Sequence, residues 1–333
     1  MKITKRAVKL LAIAITVILA FAMLSSCANV SGSSVADSQT VSPASSNLAE
    51  QSSPSPSEMN SYTPYETDQA TPDAAVTHEN STAPTLSVLF INVGKADCAL
   101  ITFGNHHYLI DTGSADSLPI LIRALNSMNV SSLDGIFITH PHKDHIGGLP
   151  GLLSQLDVQK VYMPKITDYE PNGSNKVMDI AEQFDKQLVL LSAGDTLPFS
   201  SNDVVFSVVG PVAYNNDEEN NNSLVMYLSY GDTHFLFTGD MQFDEEATIL
   251  SSLFPCDVLK VAHHGNKDAT STIFAQTVLP KIAVISTDKE NLDNKATNAL
   301  EDVDAQILLT SESEMGLLIT SDGQTLLLES LNF

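Results

Sequence analysis

The chain has 333 residues, 43% of them hydrophobic, and carries 16 Lys and Arg against 40 Asp and Glu, a formal net charge of −24. That length allows one large domain with extensions, and the apolar content is ample for a core. The acidity argues against an extended grip on duplex nucleic acid, which normally shows as a basic stripe.

The N-terminus reads as a targeting segment. Lys2, Lys5, Arg6 and Lys9 precede an apolar run over residues 10–24 that is broken only by Thr16. A full membrane span needs ~20 apolar residues, so this run suits the core of a signal peptide better. Leu24-Ser25-Ser26-Cys27 resembles a bacterial lipobox. The resemblance implies a signal peptide over 1–26, cleavage before Cys27 and lipid attachment to it, giving an extracytoplasmic lipoprotein held at the cell membrane. Residues 27–84 are rich in Ser, Thr, Pro and Asn, as in Ser53-Pro54-Ser55-Pro56-Ser57. They hold too few large apolar residues to offset chain entropy, so a disordered linker is expected. A coil of that length reaches on the order of ~40 Å.

The remaining stretch, 85–333, alternates strand and helix patterns. Strands are predicted over 86–91, 98–103 and 107–111, and a helix over 118–128, where Leu118, Leu121, Ile122 and Leu125 share a face. A strand over 135–139, a helix over 149–156, a strand over 158–163 and a helix over 176–186 follow. Another strand is expected over 204–209, then a polar loop over 211–222, then a hairpin of 224–230 with 234–238. Helix 243–253, strand 258–261, helix 272–278, strand 282–286, a short helix near 297–300 and strands at 307–309, 316–320 and 324–328 complete the reading. This pattern supports a mixed α/β fold. Cys98 and Cys256 each fall in apolar strand sequence and are expected as buried free thiols.

The densest chemistry is Thr139-His140-Pro141-His142-Lys143-Asp144-His145-Ile146-Gly147-Gly148. It lies between the strand at 135–139 and the helix at 149, and strand-to-helix turns are where α/β folds place functional groups. Imidazoles and a carboxylate at this density form a ligand set for zinc or a similar ion. His140 and His142 can converge on one ion while Asp144 and His145 turn toward a second.

Further motifs follow the same order as in a known family: Asn92-Val93-Gly94-Lys95-Ala96-Asp97, Ile110-Asp111-Thr112-Gly113, Asn221-Asn222-Ser223, Phe237-Thr238-Gly239-Asp240 and Leu259-Lys260-Val261-Ala262-His263-His264-Gly265. Together with the histidine motif they resemble the metallo-β-lactamase-fold hydrolases, and within them the branch at the end of ComEC-type competence DNA-uptake proteins. The resemblance implies an αββα sandwich holding one or two divalent ions, zinc or manganese. It implies His140, His142, Asp144, His145 and Asp240 as ligands, Asp240 bridging. One of His263 and His264 joins them, and the other contacts substrate or donates a proton. Asp144, Asp240 and His264 are the candidates for catalysis, and Asp97 and Asp111 for orienting the ligating imidazoles. His106, His107 and His234 read as non-ligands.

Three departures from the family pattern carry consequences. Many relatives place a further metal histidine on a separate loop between the first motif and the bridging aspartate; here that interval holds only His234, inside a strand. The ion at His140 and His142 is therefore expected to be the weaker, completed by water or Asn222. Asn92 stands where an aspartate is common. The loop Asp288-Lys289-Glu290-Asn291-Leu292-Asp293-Asn294 lacks the histidine often found there.

The implied reaction is metal-assisted hydrolysis, with Asp144 or Asp240 orienting the attacking water and the amides after Gly147-Gly148 available to an anion. Three classes stay open: a phosphodiesterase or nuclease, a hydrolase of lactones, thioesters or β-lactams, and a metal-holding binding module. Residues 85–333 carry 12 Lys and Arg against 33 Asp and Glu with no basic cluster. A phosphodiester substrate is therefore expected to be small or single-stranded.

Overall fold

Two-residue alternation of apolar side chains decides the layering. In β1 (Leu86–Ile91), Val88 and Phe90 point into one core while Leu89 and Ile91 point into another. A strand that is apolar on both faces must be covered on both faces. The structure, a computed structural model, describes residues 85–165, 175–199, 203–215 and 217–333. The expected signal segment, Cys27 and the linker lie outside the described residues. No helix among the described residues is long and apolar enough to cross a membrane.

The first half continues with β2 (Ala99–Phe103), β3 (His106–Ile110), α1 (Leu118–Ser127), β4 (Ser132–Leu133), β5 (Gly135–Phe137), α2 (Lys143–Ile146), α3 (Leu149–Leu153), β6 (Asp157–Val158), β7 (Lys160–Pro164), α4 (Lys176–Gln183) and β8 (Gln187–Leu191). The second half comprises β9 (Thr196–Pro198), β10 (Val204–Gly210), β11 (Val225–Tyr230), β12 (Thr233–Phe237), α5 (Phe243–Ile249), β13 (Val258–Lys260), α6 (Thr272–Val278), β14 (Ile282–Ile285), α7 (Asn294–Glu301), β15 (Gln306–Leu309), β16 (Gly316–Ser321) and β17 (Leu326–Leu331).

These strands make two large sheets, ordered β17-β16-β1-β2-β3-β5-β7-β8 and β15-β14-β13-β12-β11-β10-β9. Each has an antiparallel part and a parallel part, the latter running from β3 to β8 and from β12 to β15. The sheets pack face to face on a core that includes Phe90, Ile101, Phe137, Phe206, Met226 and Phe237. Phe137 of the first sheet meets Phe206 of the second at 4.6 Å between ring centres, and Phe90 meets Phe237 at 5.9 Å. The outer face of the first sheet is covered by α1, α3 and α4 through Leu121, Leu152 and Val177, and that of the second by α6 and α7 through Phe274 and Leu300. This is an αββα sandwich.

Differences from the sequence expectation are local. The strand expected to run to 139 stops at Phe137, because Thr139 turns its N–H to the Asp111 carboxylate and its carbonyl accepts from Leu224 N–H. The strand β8 was not anticipated. The helix near 297–300 begins earlier, at Asn294, where the Asp293 side chain accepts from Lys295 N–H as an N-cap. Cys98 and Cys256 are buried free thiols.

Candidate metal centre

The histidine motif folds against residues 111–115 because two glycines let backbone meet backbone. A Cβ on Gly147 would lie 2.4 Å from Ala115 N, and one on Gly148 would lie 2.4 Å from the Thr112 carbonyl oxygen. In that packing Thr112 N–H donates to the His145 carbonyl at 2.7 Å, and Gly148 N–H to the Gly113 carbonyl at 3.2 Å. Gly148 N–H is thus already engaged, and α3 holds Pro150 in its first turn. The glycine pair serves close packing. The docking also sets His145 over Asp111, whose own φ of 59° is left-handed. The Asp111 carboxylate accepts from Thr139 N–H at 2.8 Å and Thr139 Oγ1–H at 2.7 Å, and faces His145 Nδ1 at 2.8 Å.

The ends of the parallel strands of the second sheet bring the partners. Asp240 follows β12 through Gly239, and its N–H donates to Ser223 Oγ at 3.1 Å. Four imidazole Nε2 atoms surround its Oδ2: His145 at 3.2 Å, His264 at 3.5 Å, His140 at 3.9 Å and His263 at 4.0 Å. Asp144 Oδ2 lies 3.5 Å from His264 Nε2. His142 Nδ1 lies 3.0 Å from His140 Nε2. His263 and His264 follow β13, and both adopt left-handed backbone, with φ of 49° and 53°. For residues other than glycine this costs on the order of 1–2 kcal/mol each, and it turns both side chains toward one oxygen.

The second ring nitrogen of each of these imidazoles is held from behind. His145 Nδ1 faces Asp111, His264 Nδ1 donates to the Ser286 carbonyl at 3.1 Å, His263 Nδ1 faces Asp268 Oδ1 at 2.8 Å, and His140 Nδ1 meets Thr139 Oγ1 at 3.1 Å. This turns every Nε2 inward, the arrangement that metal-ligating histidines show.

The electrostatics describe a centre in which buried carboxylates and imidazoles hold one another charged. Burial would push the Asp240 carboxyl up, but the His145 and His264 imidazoles outweigh it and hold it well below the usual carboxylate range. Burial likewise opposes His145, yet Asp240 and Asp111 raise it to about 10; His264 is raised well above its ordinary value by Asp240 and Asp97 against burial. Asp144, against its own burial, is lowered to about 2 by His264 and His145. His140 is pushed well down, first by burial and then by His145. Behind the centre Asp97 pairs with the buried Lys260 ammonium, which with His264 overcomes burial and keeps Asp97 strongly ionised.

The donor set fits a divalent ion. Asp144, His145, Asp240 and His264 each offer one ligand atom, all within 4.8 Å of one another. His145 Nε2, His264 Nε2 and Asp240 Oδ1 are buried without a hydrogen-bond partner among the described residues. Buried polar atoms without a partner are costly, and a cation would satisfy all three.

Most of the residues singled out in the sequence therefore gather here: His140, His142, Asp144, His145, Asp240, His263 and His264, with Asp97 and Asp111 behind them. Asn222 does not. Its amide is spent on Asn215, accepting from that residue's N–H at 2.8 Å and donating to its carbonyl at 3.0 Å, so it shapes the loop. Asn220 and Ser223 reach the centre instead, Asn220 Nδ2 at 3.4 Å from His263 Nε2 and Ser223 Oγ at 3.5 Å from His140 Nδ1. Lys260, Asp268 and Ser286 were also missed, although a lysine inside the apolar run Leu259-Lys260-Val261 was a visible signal. Asn92 bonds away from the centre, to the Ser313 carbonyl. His106, His107 and His234 partner Asp134, Thr102 and Ser229 respectively.

Known proteins similar to this chain point to its family. The "ComE operon protein 3" of Bacillus subtilis (strain 168) is 34% identical over 224 residues, covering 60% of this chain and 28% of that protein. The "Competence protein ComA" of Neisseria gonorrhoeae is 25% identical over 227 residues, covering 67% and 29%. The chain thus spans a little over a quarter of the length of these relatives. Among solved structures, the metallo-beta-lactamase fold protein YhfI from Bacillus subtilis aligns at 14% identity with a TM-score of 0.49, covering 72% of this chain and 100% of that one. The family profile of the metallo-beta-lactamase superfamily matches residues 91–288, and with the ComEC-type competence proteins as its relatives, this chain belongs to that superfamily of metal-dependent hydrolases.

Proposed function

We propose that the domain is a phosphodiesterase that cuts a small or single-stranded phosphodiester with two divalent ions, zinc or manganese. Lipidated Cys27 would hold it outside the cell membrane. The observation that carries this reading is Asp240, whose Oδ2 is approached by Nε2 of His145, His264 and His140 at 3.2, 3.5 and 3.9 Å. One carboxylate oxygen shared by this many imidazoles suits a pair of ions. Such a pair, when bound, neutralises the phosphate oxygens and acidifies water. The rest belongs to the chain. Asp111, Ser286 and Asp268 hold the imidazoles in the tautomer that presents Nε2. Asp144, whose side chain is 31% exposed where those of Asp97, Asp111 and Asp240 are buried, can align the attacking water. The competence relatives and the motif order favour a nucleic-acid phosphodiester over a carbonyl substrate. The acidity of 85–333 limits the grip on it to a short segment.

The test is direct. The purified protein loaded with manganese or zinc should cleave a bis-aryl phosphate and single-stranded DNA, and Asp144→Ala should remove more than 100-fold of that rate, the scale of a lost catalytic group. Turnover of a lactone or β-lactam without phosphodiester cleavage would overturn the proposal. Full metal loading with no turnover of any of these would mark a binding module. Release of the protein from membranes on Cys27→Ala would support the anchor, and an unmodified N-terminal peptide in mass spectrometry would refute it.

A further inference from the structure

We infer that His263 supplies the third nitrogen of the seat formed by His140 and His142, so that two consecutive histidines serve two different ions; the inference deepens the two-ion reading above and rests on it. The family pattern leaves this seat one histidine short. Among the described residues, His106, His107 and His234 are engaged elsewhere. His263 is the remaining imidazole whose Nε2 approaches the shared oxygen, 4.0 Å from Asp240 Oδ2, and His140 Nε2 lies 3.9 Å from the same atom.

The side chain is built into place. Asp268 Oδ1 takes the Nδ1 proton at 2.8 Å, and Gln242 Nε2–H donates to Asp268 Oδ2 at 2.9 Å. Gln242 is itself tied to Asn221, whose Oδ1 accepts its N–H at 3.1 Å. This chain of contacts leaves the Nε2 lone pair of His263 facing the centre, with only a 3.4 Å approach from Asn220 Nδ2 for an ion to displace. A carboxylate behind an inward-facing imidazole is the support that metal-ligating histidines have. The left-handed backbone at both His263 and His264 points the same way. Neighbouring residues on an extended strand would send their side chains to opposite faces. Here both reach one carboxylate oxygen.

Counting ions tests this. After loading with manganese or zinc and dialysis against graded chelator, elemental analysis of the unaltered protein should find two ions per chain. His263→Ala should keep one, and His263→Asn should behave alike while tolerating the left-handed backbone. Asp268→Asn should weaken the second ion by roughly 10–100-fold. His234→Ala should keep both. Two ions held with unchanged affinity in both His263 variants, with KM for a bis-aryl phosphate raised, would overturn the inference and make His263 a substrate contact. A single ion in the unaltered protein would also overturn it. Ion counting is blind to the bond cleaved. A protein that holds two ions, loses one with His263 and cleaves no phosphodiester would refute the proposed substrate and leave this inference standing.

Discussion

Lys260 lies in a strand whose other side chains are apolar, and its ammonium is buried against Asp97. Removing one partner of a buried ion pair leaves the other uncompensated, which typically costs ~3–5 kcal/mol. Lys260→Met should therefore lower unfolding stability by about that amount in urea, and Lys260→Met with Asp97→Asn should recover much of it. If the single and double variants lose equally, the pair is not what Lys260 contributes. Asp111 makes a different case. It touches His145 and not the proposed ion, so Asp111→Asn should leave the fold intact while weakening metal binding by roughly 10–100-fold, read by competition with a chromophoric chelator. At this scale the sequence was uneven. The ligand-type residues stood out by their crowding, whereas Asn220, Ser223 and Asp268 look like ordinary loop residues. Their importance arises from contacts across 43, 83 and 5 positions of chain.

The element that organises the second half of the centre is α5. Asn221 Oδ1 caps it by accepting from the N–H groups of Gln242 and Glu245, and the Glu246 carboxylate accepts from the N–H groups of Thr270 and Ser271 in the segment after the histidine pair. Glu246→Ala should loosen residues 266–271, seen as faster amide exchange at Thr270 and Ser271. Glu245, on the same helix, is 3% exposed with Oε1 unpartnered among the described residues, and burial pushes its carboxyl up to about 7. The unfolded chain gives up this proton near its ordinary value of 4.5, so between 4.5 and 7 the folded state binds more protons. Stability should fall as pH rises through that window, by at most about 3 kcal/mol. Glu245→Gln should flatten this part of the pH profile and stabilise the protein at pH 8. An unchanged profile would place the Glu245 carboxyl in contact with solvent. The helix itself was legible from its start at Phe243, but its role was not, because that depends on loops distant in sequence.

At the scale of the whole molecule, the acids of the centre and the general negative charge set the response to ions. Ligands that bind only the folded state stabilise it by mass action. Chelation should therefore lower the Tm and added manganese or zinc restore it, with no such shift in His145→Ala. Binding of single-stranded DNA to the loaded protein should be weak and depend little on salt, since a shallow salt slope follows from few phosphate contacts. A steep slope would reveal a basic surface that the composition does not suggest.

What the sequence determined by itself was local: the apolar alternation that makes both sheets buried, the crowded motif after the fifth strand, and the order of the later motifs. Those features depend on residues within a few positions of one another, where periodicity and turn chemistry apply. The direction of the His263 and His264 rings was not legible in the sequence. It depended on left-handed backbone after β13, on Asp268 behind one ring and on Ser286 behind the other. The same holds for Asn222, which looked like a ligand and proved to be bonded to Asn215, and for Gly147 and Gly148, whose close backbone packing the sequence did not show. In each case the direction was decided by loop conformation or by a neighbouring strand end of the same sheet, which residue type and spacing do not encode.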